Sequence, residues 1–311
     1  MKKLLKLTGW MWLMAAGAWA GPLPRTEVSA KARWVLHLDA EQFRESKVGQ
    51  HYIENLLADQ VAEVEAKIGF DFAPFLDSVM SATVYGADFA KGEDNTAVLL
   101  LRGDVAEEQG IEEFLATHSG KGRKAKLRQI QNTPFALFKL ENAFAATLTN
   151  GTVVMGKTQK LVEDACEVIA GKQPNVAATT RFADLASTNA NYILAVAADC
   201  FNGELPLPKN LKIFRQVEGV QLMIRESAAH LSLEIALKTG GVEVATQIKT
   251  VADGLLVLAK TERADDKNLQ ALIGSAKISA AGETVTGTFE FSNKRAIALI
   301  KRGGAGRADA K

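Results

Sequence analysis

The pair Asn150-Gly151 does most to limit how this chain can fold. It lies between two short apolar runs, Phe144–Thr149 and Thr152–Gly156. An Asn-Gly pair in that setting is the strongest local signal for a β-hairpin, because a type I′ turn needs φ > 0 at both central residues. The same strand-turn-strand rhythm recurs along the chain. Ser81–Ala87 and Thr96–Arg102 flank a charged gap containing Gly92. Gly219–Arg225 and His230–Leu237 flank Glu226–Ala229, and Lys277–Ala280 and Thr284–Phe291 flank Ala281-Gly282-Glu283. Hairpins pair antiparallel, so a doubly wound parallel sheet is excluded. The pattern predicts an α+β fold, a mostly antiparallel sheet with helices on one side.

Other elements fill the intervals. Trp34–Asp39 and Tyr192–Ala198 read as buried strands, and Lys126–Gln131 and Phe135–Glu141 as strands separated near Pro134. Ile53, Leu57, Val61, Val64 and Ile68 recur at helical spacing, as do Val244, Ile248, Val251, Leu255 and Leu258. Glu107–Thr117, Lys160–Ala170, Leu211–Gln216 and Lys294–Lys301 complete the predicted helices.

The order of elements suggests an internal duplication. Trp34–Phe43 aligns with Tyr192–Phe201 without a gap, with Leu36/Leu194, Ala40/Ala198 and Phe43/Phe201 identical. Each half then reads β-α-β-β-α-β-β-α. The expected division is a signal peptide at 1–20, a polar leader at 21–30, a first module at 31–172, a second at 173–302 and a disordered tail at 303–311.

The first twenty residues supply the expected compartment. Lys2, Lys3 and Lys6 precede an apolar run, and Ala18-Trp19-Ala20 forms a small-x-small cleavage site. The run is shorter than the ~20 apolar residues of a membrane-spanning helix. No Cys follows the cleavage site, and no later stretch predicts a span after cleavage. A periplasmic or secreted bacterial protein is expected. Removing residues 1–20 takes three lysines and no acid from a chain of net charge +1, leaving −2. That balance gives no general attraction to nucleic acid.

Candidate sites are few. His37 and Asp39 stand two apart on a strand and share a face, where a carboxylate can orient an imidazole base. The aligned positions in the second half are Ala195 and Ala197. Lys121, Arg123, Lys124, Lys126 and Arg128 form the densest charge run, a candidate surface for an anionic partner. Cys166 and Cys200 are the two cysteines, and an oxidising compartment would let them pair if the fold brings them together. The histidines lack metal-ligand spacing, no Gly-rich stretch matches a phosphate loop, and no cofactor is expected.

On the strength of the signal peptide, the Leu36–Phe43 stretch and the strand-helix rhythm, the chain resembles exported bacterial proteins of unknown function with a duplicated α+β module. That resemblance transfers no catalytic residue. Two functional readings follow: a non-catalytic binding or structural scaffold in the envelope, partnered by an envelope protein or an anionic surface, and an exported hydrolase acting near His37 and Asp39.

Overall fold

A computed structural model of the chain describes residues 21–57, 78–89, 97–103, 128–131, 133–140, 143–186, 192–199, 209–262 and 267–298. Its centre is one antiparallel sheet of twelve strands. In chain order these are β1 (Trp34–Asp39), β2 (Val79–Gly86), β3 (Val98–Gly103), β4 (Arg128–Ile130), β5 (Ala136–Lys139), β6 (Phe144–Thr147), β7 (Thr152–Gly156), β8 (Leu194–Asp199), β9 (Val217–Glu226), β10 (His230–Thr239), β11 (Lys277–Ala281) and β12 (Thr284–Ser292). The spatial order is β11-β12-β10-β9-β8-β1-β2-β3-β7-β6-β5-β4. The predicted hairpins form, and β1 and β8 join them at the middle, with Trp34 opposite Ala198 and His37 opposite Ala195. The two halves therefore share one sheet.

The Asn150-Gly151 hairpin forms with a different turn from the one expected. Only Gly151 has positive φ, at 75°, so the turn is not type I′. Gly151 N–H instead donates to the Leu148 carbonyl, Leu148 N–H donates to Thr152, and the Asn150 side chain accepts from Thr152 N–H. A longer loop with glycine in the left-handed region gives the same antiparallel pairing.

Helices cover both faces, which corrects the one-sided arrangement expected from sequence. Helix α1 (Ala40–Glu45) and helix α2 (Lys47–Tyr52) follow β1, and one π-helical turn (Ile53–Leu57) continues the chain. The remainder of the Ile53–Ile68 stripe, the Glu107–Thr117 helix and the tail lie outside the described residues. Helix α3 (Gln159–Ile169) places Val162, Ala165 and Cys166 in the main core with Val154, Ala195 and Met223. Helix α4 (Val242–Glu262) packs Ala245 and Ile248 in a second core with Val217, Leu237 and Val285. Met223 lies opposite Ala195, whereas Leu237 lies opposite Val220, whose side chain alternates to the other face. An apolar sheet needs both faces covered, and α3 and α4 divide that task. Helix α5 (Lys267–Ser275) packs on α4 and β12, and residues 293–298 are helical after β12.

Residues 21–30 are charged and contain two prolines, yet they enter the main core. Leu23 is 2% exposed and Val28 is 0%. This segment and residues 176–185 lie with α3 over the inward face of the sheet.

Glycine is required where β3 ends. A Cβ on Gly103 would lie 2.0 Å from the Ser78 carbonyl oxygen, a backbone atom that cannot turn aside. Gly103→Ala is expected to lower unfolding free energy by about 2 kcal/mol, as overpacking does in a fixed environment. Urea denaturation checks this; an unchanged midpoint would contradict the close approach.

Candidate functional site

β1 lies between β2 and β8, so a polar side chain on its inward face is enclosed. Alternation puts His37 and Asp39 there, at 1% and 0% exposure. The His37 Nε2 atom lies 2.9 Å from the Gly21 carbonyl oxygen, and Nδ1 lies 2.8 Å from the Thr83 hydroxyl. A carbonyl only accepts. The assigned tautomer therefore carries its proton on Nε2, and Nδ1 accepts from Thr83. Burial pushes the imidazole down to about 4, outweighing the Gly21 hydrogen bond that favours its protonated form. The ring is neutral at ordinary pH, and both nitrogens are engaged.

Asp39 has a separate duty. One carboxylate oxygen accepts from Gln42 N–H and the other from the Gln42 side-chain amide, each at 2.9 Å. It is the N-cap of α1, where an acceptor satisfies a free helical N–H. Burial raises its carboxyl above the usual range against these hydrogen bonds. His37 and Asp39 thus share a face, as the sequence predicted, while each binds other partners.

The segment 21–32 lies over this face as a strap, and His37 holds its first residue. The Tyr192 ring meets His37 edge-on at 5.9 Å. Its hydroxyl donates to the Leu185 carbonyl at 2.5 Å and accepts from Leu23 N–H at 2.7 Å. Burial pushes this phenol up to about 12. Farther along, Glu27 pairs with Arg102 of β3, and burial raises the Glu27 carboxyl despite that cation. Val176 N–H donates to Val28, and Ala30 N–H donates to Pro174. Arg25 reaches the Val176 and Thr179 carbonyls, while Arg181 reaches those of Ala30 and Ala32. Sequence pattern pointed to none of these pairings, because the strap has no periodicity.

A surface hollow of about 310 Å³ opens between α1–α2 and the β9–β10 turn, lined by Gln42, Glu45, Ser46, Lys47, Glu226 and Ser227 among others. Glu226 accepts from Lys47 N–H at 2.8 Å, Val48 N–H at 3.1 Å and the Asn293 amide at 3.0 Å. Lys47 Nζ donates to the Ala228 carbonyl. The carboxylate therefore caps α2 from the other half of the chain. This hollow is a tie between halves, made of groups that satisfy one another.

Lys121, Arg123, Lys124 and Lys126 lie outside the described residues, and the backbone of Arg128 begins β4. Cys166 is a buried free thiol in α3, and burial pushes it up to about 12, far from a reactive thiolate. Cys200 lies outside the described residues. Among the described residues there is no group of three or more metal-ligating side chains, and no helix long and apolar enough to cross a membrane.

This architecture defines an α+β protein built on a single wide antiparallel sheet. Two crystal forms of TP0453, a Treponema pallidum protein, have a similar fold. Form III matches with a TM-score of 0.53 and 13% identity, covering 89% of this chain and 97% of that one. Form IV matches with a TM-score of 0.51 and 15% identity, covering 92% and 99%. At such identity the likeness concerns the fold alone. No sequence-family description matches the chain, and no curated protein matches it.

The buried imidazole sets a pH dependence. The unfolded side chain takes up a proton near its ordinary value of 6.5, the folded one only near 4, so acid favours unfolding across that window. Glu27, Asp39 and Asp199 shift upward and act in the opposite sense, so comparison with a variant isolates His37. Between neutral pH and about pH 4, wild type should lose about 3 kcal/mol more stability than His37→Gln. Parallel losses in urea titrations would contradict the buried neutral ring.

Proposed function

We propose that this chain is an exported, non-catalytic scaffold of the bacterial envelope, built from two related α+β modules and acting through its surface on an envelope partner. The observation that carries the non-catalytic reading is the engagement of both His37 nitrogens, by Thr83 and Gly21. A general base needs a lone pair facing its substrate. Here that lone pair faces a hydroxyl inside the sheet.

The register at the centre supports the two-module reading. In the alignment of Trp34–Phe43 with Tyr192–Phe201, His37 corresponds to Ala195, and these two residues lie opposite each other. Leu36 opposite Val196 and Leu38 opposite Leu194 are then equivalent pairs. A local two-fold axis between His37 and Ala195 relates them. Outward from it, β1-β2-β3-β7-β6 corresponds to β8-β9-β10-β12-β11. A helix follows β7, and another follows β12.

Support for export comes from residues 1–20 and from the position of the strap. Cleavage after Ala20 would leave Gly21 as the first residue, and its carbonyl is already held by His37.

Fractionation with N-terminal sequencing tests export: the expected product begins at Gly21 and lies outside the cytoplasm. An unprocessed cytoplasmic chain would overturn that part of the reading. A hydrolase substrate panel tests the rest. No turnover dependent on His37 is expected, and activity that His37→Ala abolishes while circular dichroism stays native would establish catalysis instead.

A further inference from the structure

We infer that two copies of this chain join edge to edge through β11, with the α4 helices meeting beside the seam. The inference rests on the two-module reading. In the first half the strand corresponding to β11 is β6, and β6 is not an edge. β5 pairs with it from Ala136 opposite Thr147 to Lys139 opposite Phe144, and β4 lies beyond. In the second half the segment before the last hairpin forms α5, which packs on β12 and α4 rather than extending the sheet. The Ser275 hydroxyl at the end of α5 accepts from Glu290 N–H of β12 at 3.0 Å. Among the described residues, no strand pairs with the outer side of β11. Among the described residues, no strand takes in the second half the place that β5 takes in the first.

A second observation concerns the helix that packs over this edge. The covered face of α4 runs from Ala245 and Ile248, both at 0% exposure, through half-buried Ala252, Leu256 and Ala259, and large aliphatic side chains project beside it. Leu255 is 41% exposed and Leu258 58%, with Val257 at 65% beside them. The sequence places Leu255 and Leu258 on the helical stripe of Val244, Ile248 and Val251. α4 packs on β11 and β12, so these exposed aliphatic side chains belong to the helix that roofs the free strand.

A second copy fits both features. Antiparallel pairing of β11 with itself about Ser279 places Ile278 opposite Ala280 and Lys277 opposite Ala281. No like charges face each other, which would be destabilising. Ile278 and Ala280 pack toward α4, so aliphatic side chains meet across the axis on the helix side. The chain already uses this geometry internally, where β1 and β8 pair antiparallel about a local two-fold. Five residues of strand cannot supply the roughly 800 Å² per partner that a stable dimer buries. The exposed Leu255, Val257 and Leu258 of two α4 helices would add apolar area to that seam. A two-fold contact of this kind closes on itself and gives a dimer rather than a filament.

Sedimentation velocity of the purified protein over a concentration series tests the proposal, with a concentration-dependent dimer expected. Ser279 is exposed, so Ser279→Lys and Ser279→Glu should leave the fold intact. Each places like charges on the axis and should weaken the dimer roughly tenfold, as like-charge contacts do at interfaces. An equimolar mixture of the two variants should restore association, and Leu258→Glu should weaken it. A monomer at every concentration, a dimer indifferent to Ser279→Lys, or a mixture no tighter than either variant alone would overturn the proposal. A monomer that is still exported, with its N-terminus at Gly21, would confine the failure to the β11 edge and leave the scaffold reading standing.

Discussion

Without the pairing of β1 with β8, the sheet divides into five strands on one side and seven on the other. Each piece would expose a long central strand along its open edge. The backbone hydrogen bonds of that pair, from Trp34 opposite Ala198 to Leu38 opposite Leu194, turn two half-sheets into one. Everything nearby reinforces them. Asp39 N–H donates to Ile193 at one end, and Asp199 N–H donates to Arg33 at the other. The main core lies over the same line, with Val35, Ala195 and Ala197 beneath the strap.

The polar groups in this core follow from that arrangement. A strap of irregular backbone cannot satisfy its own N–H and C=O groups, and buried backbone groups need partners. His37, Tyr192, Arg25 and Arg181 provide them, each reaching the strap or the segment beneath it. The histidine and tyrosine let a non-periodic segment lie inside an apolar core. A neutral imidazole suits this role, because a charged one would bear the cost of desolvation.

Strands were the legible part of the sequence. β1 and β7 occupy the predicted residues, and the remaining strands differ from prediction by a few residues at their ends. Alternating or continuous apolar runs between turn residues report strands well. The shared face of His37 and Asp39 was also legible, since a strand's side chains alternate. Their roles were not, because Gly21 and Thr83 reach His37 from distant parts of the chain. The strap was hidden for a related reason. Leu23, Val28 and Ala32 mark its burial without periodicity, and the charged residues among them find partners far away, such as Glu27 with Arg102. Periodicity predicted a helical stripe from Val244 to Leu258, yet the covered face of α4 turns toward Ala252, Leu256 and Ala259, because that depends on which strands lie beneath it.

The central pair also imposes an order on folding. Its two strands are separated by most of the first half of the chain, so the contact is among the least local in the molecule. The first half is synthesised before β8 exists. Until residues 194–199 arrive, β1 presents an open row of backbone donors and acceptors on an apolar strand, the arrangement that recruits other chains into aggregates. Closing that edge is slow by topology, because a long loop must be ordered before the contact forms. A nascent chain of this design carries that open edge for as long as its central strand has only one neighbour.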